Sequence, residues 1–158
     1  MVGAQKERAL KTHRLRKAQI GQAFPVIQEV SRNLTLETWT DYAEGLLSGS
    51  ASGAETSGVI VAETQSKRIR GLFVYKVEES LNYGLSLVIQ HLVLPGLGRT
   101  TVATALYDSI RRLAAKNNCA CIRIEAPPET KWDMEYFRKQ GQQVINRLLC
   151  LPVQNSFP

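Results

Sequence analysis

Residues 85–116 read LSLVIQHLVLPGLGRTTVATALYDSIRRLAAK. The first ten, Leu85 to Leu94, are almost continuously apolar, which predicts a central strand buried on both faces. Pro95-Gly96-Leu97-Gly98 then breaks the pattern as a tight turn. Beyond it Val102, Leu106, Ile110 and Leu113 recur at spacings of four, four and three, the stripe of an amphipathic helix. Arg111, Arg112 and Lys116 lie in the C-terminal half of that helix, where cations suit the dipole, and Asn117-Asn118 ends it. The first-turn amides of a helix have no intrahelical acceptor, and the macrodipole adds partial positive charge there. A strand, a glycine turn and a helix start in succession therefore offer a place where a phosphate can bind with little side-chain help.

Upstream, residues 1–11 read as a loose basic lead-in, and Thr12 to Ala18 as a weak first strand. Ile20, Phe24, Ile27 and Val30 have helical spacing, with Pro25 expected to bend that helix or mark its start. Thr35 is placed as the N-cap of a second helix, with Glu37 in its first turn and Leu36, Trp39, Ala43, Leu46 and Leu47 along it. Trp39 reads as a core aromatic. Ser48 to Gly58 is a Gly/Ser/Ala loop. Val59–Glu63 and Ile69–Val77 form a hairpin about Gln65–Lys67, and Glu78–Gly84 reads as a polar loop. Downstream come a strand over Ala120–Glu125, Pro127-Pro128, a helix over Glu129–Gln140 stopped by Gly141, and a last strand over Val144–Leu151. The order β-α-α-β-β-β-α-β-α-β predicts an α+β fold, a mixed sheet with helices on its faces.

A chain of 158 residues, 44% apolar and 22% charged, suits one soluble domain with its own core. No apolar run approaches a membrane span, and the charged N-terminus lacks a signal-peptide apolar region, so a cytoplasmic protein is expected. The net charge of +6 is concentrated at one end: residues 1–17 hold six basic groups against Glu7. The body is nearly neutral, which argues against a nucleic-acid-binding face. Cys119, Cys121 and Cys150 have no zinc spacing and read as small apolar residues, and no metal is expected.

Three stretches together resemble the GNAT superfamily of acyl-CoA-dependent N-acyltransferases, over residues 12–152, with 153–158 a tail. Phe24–Leu47 is similar to the opening helices of many bacterial members. Val93–Tyr107 aligns without a gap on the acyl-CoA motif V-x-P-x-x-Q/R-x-x-G-x-G/A. Tyr136–Gly141 resembles the closing F-Y-x-x-x-G segment. Within the motif Gly98 stands where Gln or Arg is usual, Arg99 where a glycine is common, Thr101 for the first signature glycine and Ala103 at the permitted second. Phe137 stands where many members carry the tyrosine that protonates the leaving thiolate.

The resemblance implies a mostly antiparallel sheet with helices on both faces, and acetyl-CoA as co-substrate. The backbone of Leu92, Val93 and Leu94 would pair with the pantetheine arm and polarise the thioester carbonyl. The amides of Gly98, Arg99, Thr100, Thr101, Val102, Ala103 and Thr104 would hold the pyrophosphate, with Arg99 adding charge. A small-molecule or protein amine would attack directly in a ternary complex. His91 is the candidate base, Glu125 a less direct one, and Tyr136 the candidate acid. Two alternatives stay open: a catalytically inactive binding or regulatory module of the same fold, and acylation of an RNA-linked amine, suggested by the basic N-terminus. A homodimer through the last strand is compatible with the pattern, which does not by itself show one.

Overall fold

Five strands line up in chain order as one sheet: β1 (Leu10–Arg14), β2 (Ser57–Thr64), β3 (Ile69–Ser80), β4 (Gly84–Val93) and β5 (Cys121–Ile124). The computed structural model describes residues 9–49, 55–94, 99–125 and 139. The chain divides into two compact units, 1–124 and 125–158, and all five strands belong to the first. The helix expected over 129–140, the strand over 144–151, and Tyr136, Phe137, Cys150 and Gly98 lie outside the described residues. The first three pairings are antiparallel and β4–β5 is parallel. Parallel neighbours need a long crossover, supplied here by helix α3 (Arg99–Lys116).

Helices α1 (Ile20–Gln28) and α2 (Leu36–Ser48) cover one face of the sheet. Ile20, Ala23, Ile27, Trp39 and Ala43 pack there on Val59, Val61, Leu72, Val74 and Val93. Trp39 is buried and its indole N–H donates to the Ile20 carbonyl at 2.8 Å, so the ring ties α2 to the start of α1. Thr35 caps α2 as expected, its Oγ1 accepting from the Thr38 amide at 3.1 Å. Pro25 does not mark a helix start: α1 begins at Ile20 and runs through it. Pro25 is on the exposed side, where water can satisfy the carbonyl it leaves unbonded, while Ile20 and Ile27 hold the helix from below. Val30, expected on the apolar stripe, is exposed because the helix has ended at Gln28.

Helix α3 lies on the other face, burying Val102, Leu106, Ile110 and Leu113 as predicted. Its seat is Gly71. A Cβ there would come within 2.6 Å of Val102 Cγ1 and 2.8 Å of the Val93 carbonyl oxygen. Asn118 ends α3 in the left-handed region, at φ 54°, with the Cys119 amide donating to Ala114 O at 2.9 Å.

Three expectations are corrected. The first strand starts at Leu10 and ends at Arg14, because its ladder partners run from Thr64 to Ile60. Glu78–Gly84 is not a loop: the β3–β4 ladder continues through Glu78↔Ser86 to Ser80↔Gly84, and only 81–83 form the turn. Glu78 tolerates a strand position because Lys76 and Arg123 both pair with it. Cys119 and Cys121 are free and only partly buried, since β5 lies at the margin of the described sheet.

Candidate active site

Strand β4 changes character at Gln90. Val74 pairs with His91 but the next residue, Tyr75, pairs with Ile89, so Gln90 is the extra residue of a β-bulge. The parallel pairing with β5 ends at the same level, at Ile89↔Ile124. From Gln90 to Val93, β4 is flanked by β3 alone among the described residues. Alternate residues of a strand turn their N–H and C=O groups to opposite sides, so some backbone groups of this segment face away from β3. The sequence predicts a strand buried throughout. Burial instead covers Ser86–Ile89, Val93 and Leu94, while Gln90 and Leu92 are half-buried and His91 is exposed. The bulge interrupts the regular ladder at the level where the described β4–β5 pairing ends.

The second component is the start of α3. Val102 and Ala103 are buried against the sheet, and Thr100, Thr101 and Thr104 are exposed. Thr104 Oγ1 donates back to the Thr100 carbonyl at 2.9 Å. These threonines line an open groove of about 740 Å³ between β1 and the outer side of α3, with Lys11, Thr12, Asp108 and Arg112. Arg112 Nη2 donates to Thr12 Oγ1 at 3.2 Å across it. No β4 residue lines this groove, so it is separate from the strand opening. It was invisible in the sequence because β1 and α3 are far apart along the chain.

Comparison with solved structures places the architecture. The chain superposes on the aminoglycoside N-acetyltransferase AAC(6')-Iy in complex with CoA at a TM-score of 0.76 and 12% identity, over 92% of this chain and 95% of that one. For glucosamine-6-phosphate N-acetyltransferase from Arabidopsis thaliana the TM-score is 0.69 at 14% identity, over 91% and 98%. For ribosomal-protein-alanine N-acetyltransferase from Brucella melitensis biovar Abortus 2308 it is 0.69 at 14% identity, over 92% and 100%. This chain has the GNAT fold. No family profile matches the sequence, and no curated protein matches it at a significant level.

Within this GNAT fold, β4 carries His91, Leu92 and Val93 at its end, Leu94 follows, and α3 begins at Arg99. His91 stands at the bulge, on the face that carries α1 and α2, and meets Tyr42 of α2 edge to face, with ring centroids 6.4 Å apart at 79°. Tyr42 in turn lies 6.3 Å from the buried Trp39 ring. Tyr42 is a site neighbour that the helical pattern did not single out, because it falls off the apolar stripe of α2. Leu92 pairs with Phe73 and Val93 with Leu72. Glu125 is exposed just past β5.

Further along the same face of β3, Lys76 Nζ pairs with Glu78 at 2.9 Å, and Arg123 of β5 pairs with Glu78 from the other side. Hydrogen bonds from Lys76 and then Arg123 hold the Glu78 carboxyl below its ordinary range. Among the described residues there is no cluster of His, Cys, Asp and Glu that could hold a metal, and no helix long and apolar enough to cross a membrane.

Proposed function

We propose that the chain is an acyl-CoA-dependent N-acyltransferase that moves an acetyl group from acetyl-CoA to a primary amine in a ternary complex. One observation carries the reading: β4 is bulged at Gln90, one residue beyond its last described pairing with β5, and the chain then leads into a helix whose first turn has uncommitted amides. The fold neighbours that are N-acetyltransferases supply the reaction class.

In this reading the backbone of Leu92–Leu94 pairs with the pantetheine arm. One of its amides donates to the thioester oxygen and stabilises the charge that develops there. The free amides at the start of α3, Gly98 to Thr101, hold the pyrophosphate, and the Arg99 guanidinium adds charge. His91 takes a proton from the incoming ammonium, whose ordinary pKa is about 10. The amine nitrogen bonds to the carbonyl carbon, the C–S bond breaks, and the proton that the acylated nitrogen sheds passes through solvent to the leaving thiolate. The exposed position of His91 suits a base that an acceptor must reach.

Calorimetric titration with acetyl-CoA and with CoA tests the donor half, and CoA release with a panel of primary amines tests the acceptor half. Micromolar binding followed by amine-dependent CoA release is the expected result. Absence of binding at millimolar ligand would overturn it. Thr101 in place of a signature glycine favours a second reading, a GNAT-fold module without turnover. Its signature is CoA binding with no release across the panel.

A further inference from the structure

We propose that Tyr42 is a positioning residue for His91, holding its imidazole at the mouth of the strand opening. The inference rests on the reading of His91 as the base that receives the acceptor's proton. The structure offers a reason why such a device is needed. His91 sits beside a bulge and is exposed, so the ladder that fixes an ordinary strand side chain is interrupted there. A base must be aimed to act.

The aim comes from a chain of rings that starts in the core. Trp39 is 1% exposed and its indole is locked by the bond to Ile20 O. Tyr42, one turn along α2, leans on Trp39 at 6.3 Å with the ring planes inclined by 40°. Its other side meets His91 at 6.4 Å in the T-shaped arrangement that aromatic quadrupoles favour. Tyr42 is itself 41% exposed, an unusual place for a large aromatic ring unless it serves a surface. Orientation thus passes from a rigid core residue to the bulged strand, across two elements far apart in sequence. Because Tyr42 forms the α2 side of the approach to His91, it also limits how an acceptor can arrive.

The test uses the full chain and reads His91 directly. With only two histidines in the sequence, comparison with His91→Gln assigns its ring-proton resonances. In the wild type these lie off their free-imidazole positions through the Tyr42 ring current. Tyr42→Phe keeps them where they are and Tyr42→Ala moves them. Unchanged resonances in Tyr42→Ala would overturn the inference, whatever the activity. In the acyl-transfer assay Tyr42→Ala lowers kcat about tenfold with an unchanged Kd for CoA, and Tyr42→Phe restores most of the loss. A normal kcat in Tyr42→Ala while His91→Gln is impaired would sink the positioning role and leave His91 as base. A normal kcat in His91→Gln would instead remove His91 from the chemistry.

Discussion

Gly71 shows how one residue without a side chain sets the position of a helix. Its Cα faces Val102, and the Val93 carbonyl closes the space from the next strand. Backbone cannot retreat as a flexible side chain can, so Gly71→Ala should destabilise the protein by about 1–3 kcal/mol, read as a fall in the urea midpoint with little change in m. Glu63 makes a different residue-scale argument. It is 4% exposed, yet it accepts from Gln19 Nε2 at 2.6 Å and lies 3.3 Å from His13 Nε2 and 3.4 Å from Lys67 Nζ. Burial pushes its carboxyl up, but the His13, Gln19 and Lys67 partners outweigh burial and hold it below the ordinary 4.5. The folded state therefore binds this proton less readily than the unfolded chain. The stability it contributes is complete above the ordinary carboxylate value and is lost as pH falls through the lower folded one. Glu63→Gln should cost about 1–2 kcal/mol at neutral pH and flatten the stability profile on the acid side, as followed by thermal unfolding across pH.

At the scale of elements, the bulge in β4 is the feature with the largest consequence. Removing Gln90 would let the β3–β4 ladder run in one register, with each paired residue keeping its face while the local kink and extra twist of the bulge are lost. The Gln90 deletion is expected to fold but to lose acetyl-CoA affinity by more than about tenfold, a loss of roughly 1.4 kcal/mol or more by calorimetry. An unchanged affinity would dissociate the bulge from donor binding. The start of α3 allows a smaller test. Thr101 is turned outward to the groove beside β1, so its side chain is not packed on the sheet. Thr101→Gly should lower stability by a few tenths of a kcal/mol, up to about 0.5, through helix propensity alone.

Much of this level was legible in the sequence. The spacing of Val102, Leu106, Ile110 and Leu113 located α3, Thr35 located the start of α2, and Asn117-Asn118 located a helix end. Glu78–Gly84 misled because polarity was taken for a loop, while the Lys76–Glu78–Arg123 pairing lets charged residues occupy strand. Pro25 does not begin α1 because its cost falls on a solvent-facing carbonyl, so the helix can start at Ile20 and contain it.

For the whole molecule, ligand and fold are linked. A donor that binds only the folded chain stabilises it by about 2.7 kcal/mol at a hundred times its Kd. A rise in Tm with acetyl-CoA concentration is therefore expected under the proposed function, and a flat Tm up to millimolar ligand would contradict it.

Local chemistry by itself determined helices α1, α2 and α3, the hairpin and the apolar strand. Each is a pattern of short-range spacing, and a chain expresses such patterns before it meets its distant parts. The α+β class and the GNAT resemblance followed from their order. Only the tertiary structure decided that β4 bulges at Gln90, that β5 pairs with it in parallel over Ser86–Ile89, that Gly71 seats α3, and that Tyr42 meets His91. Those facts depend on register and on contacts between elements remote in sequence, and neither leaves a periodic trace in the residues that make them.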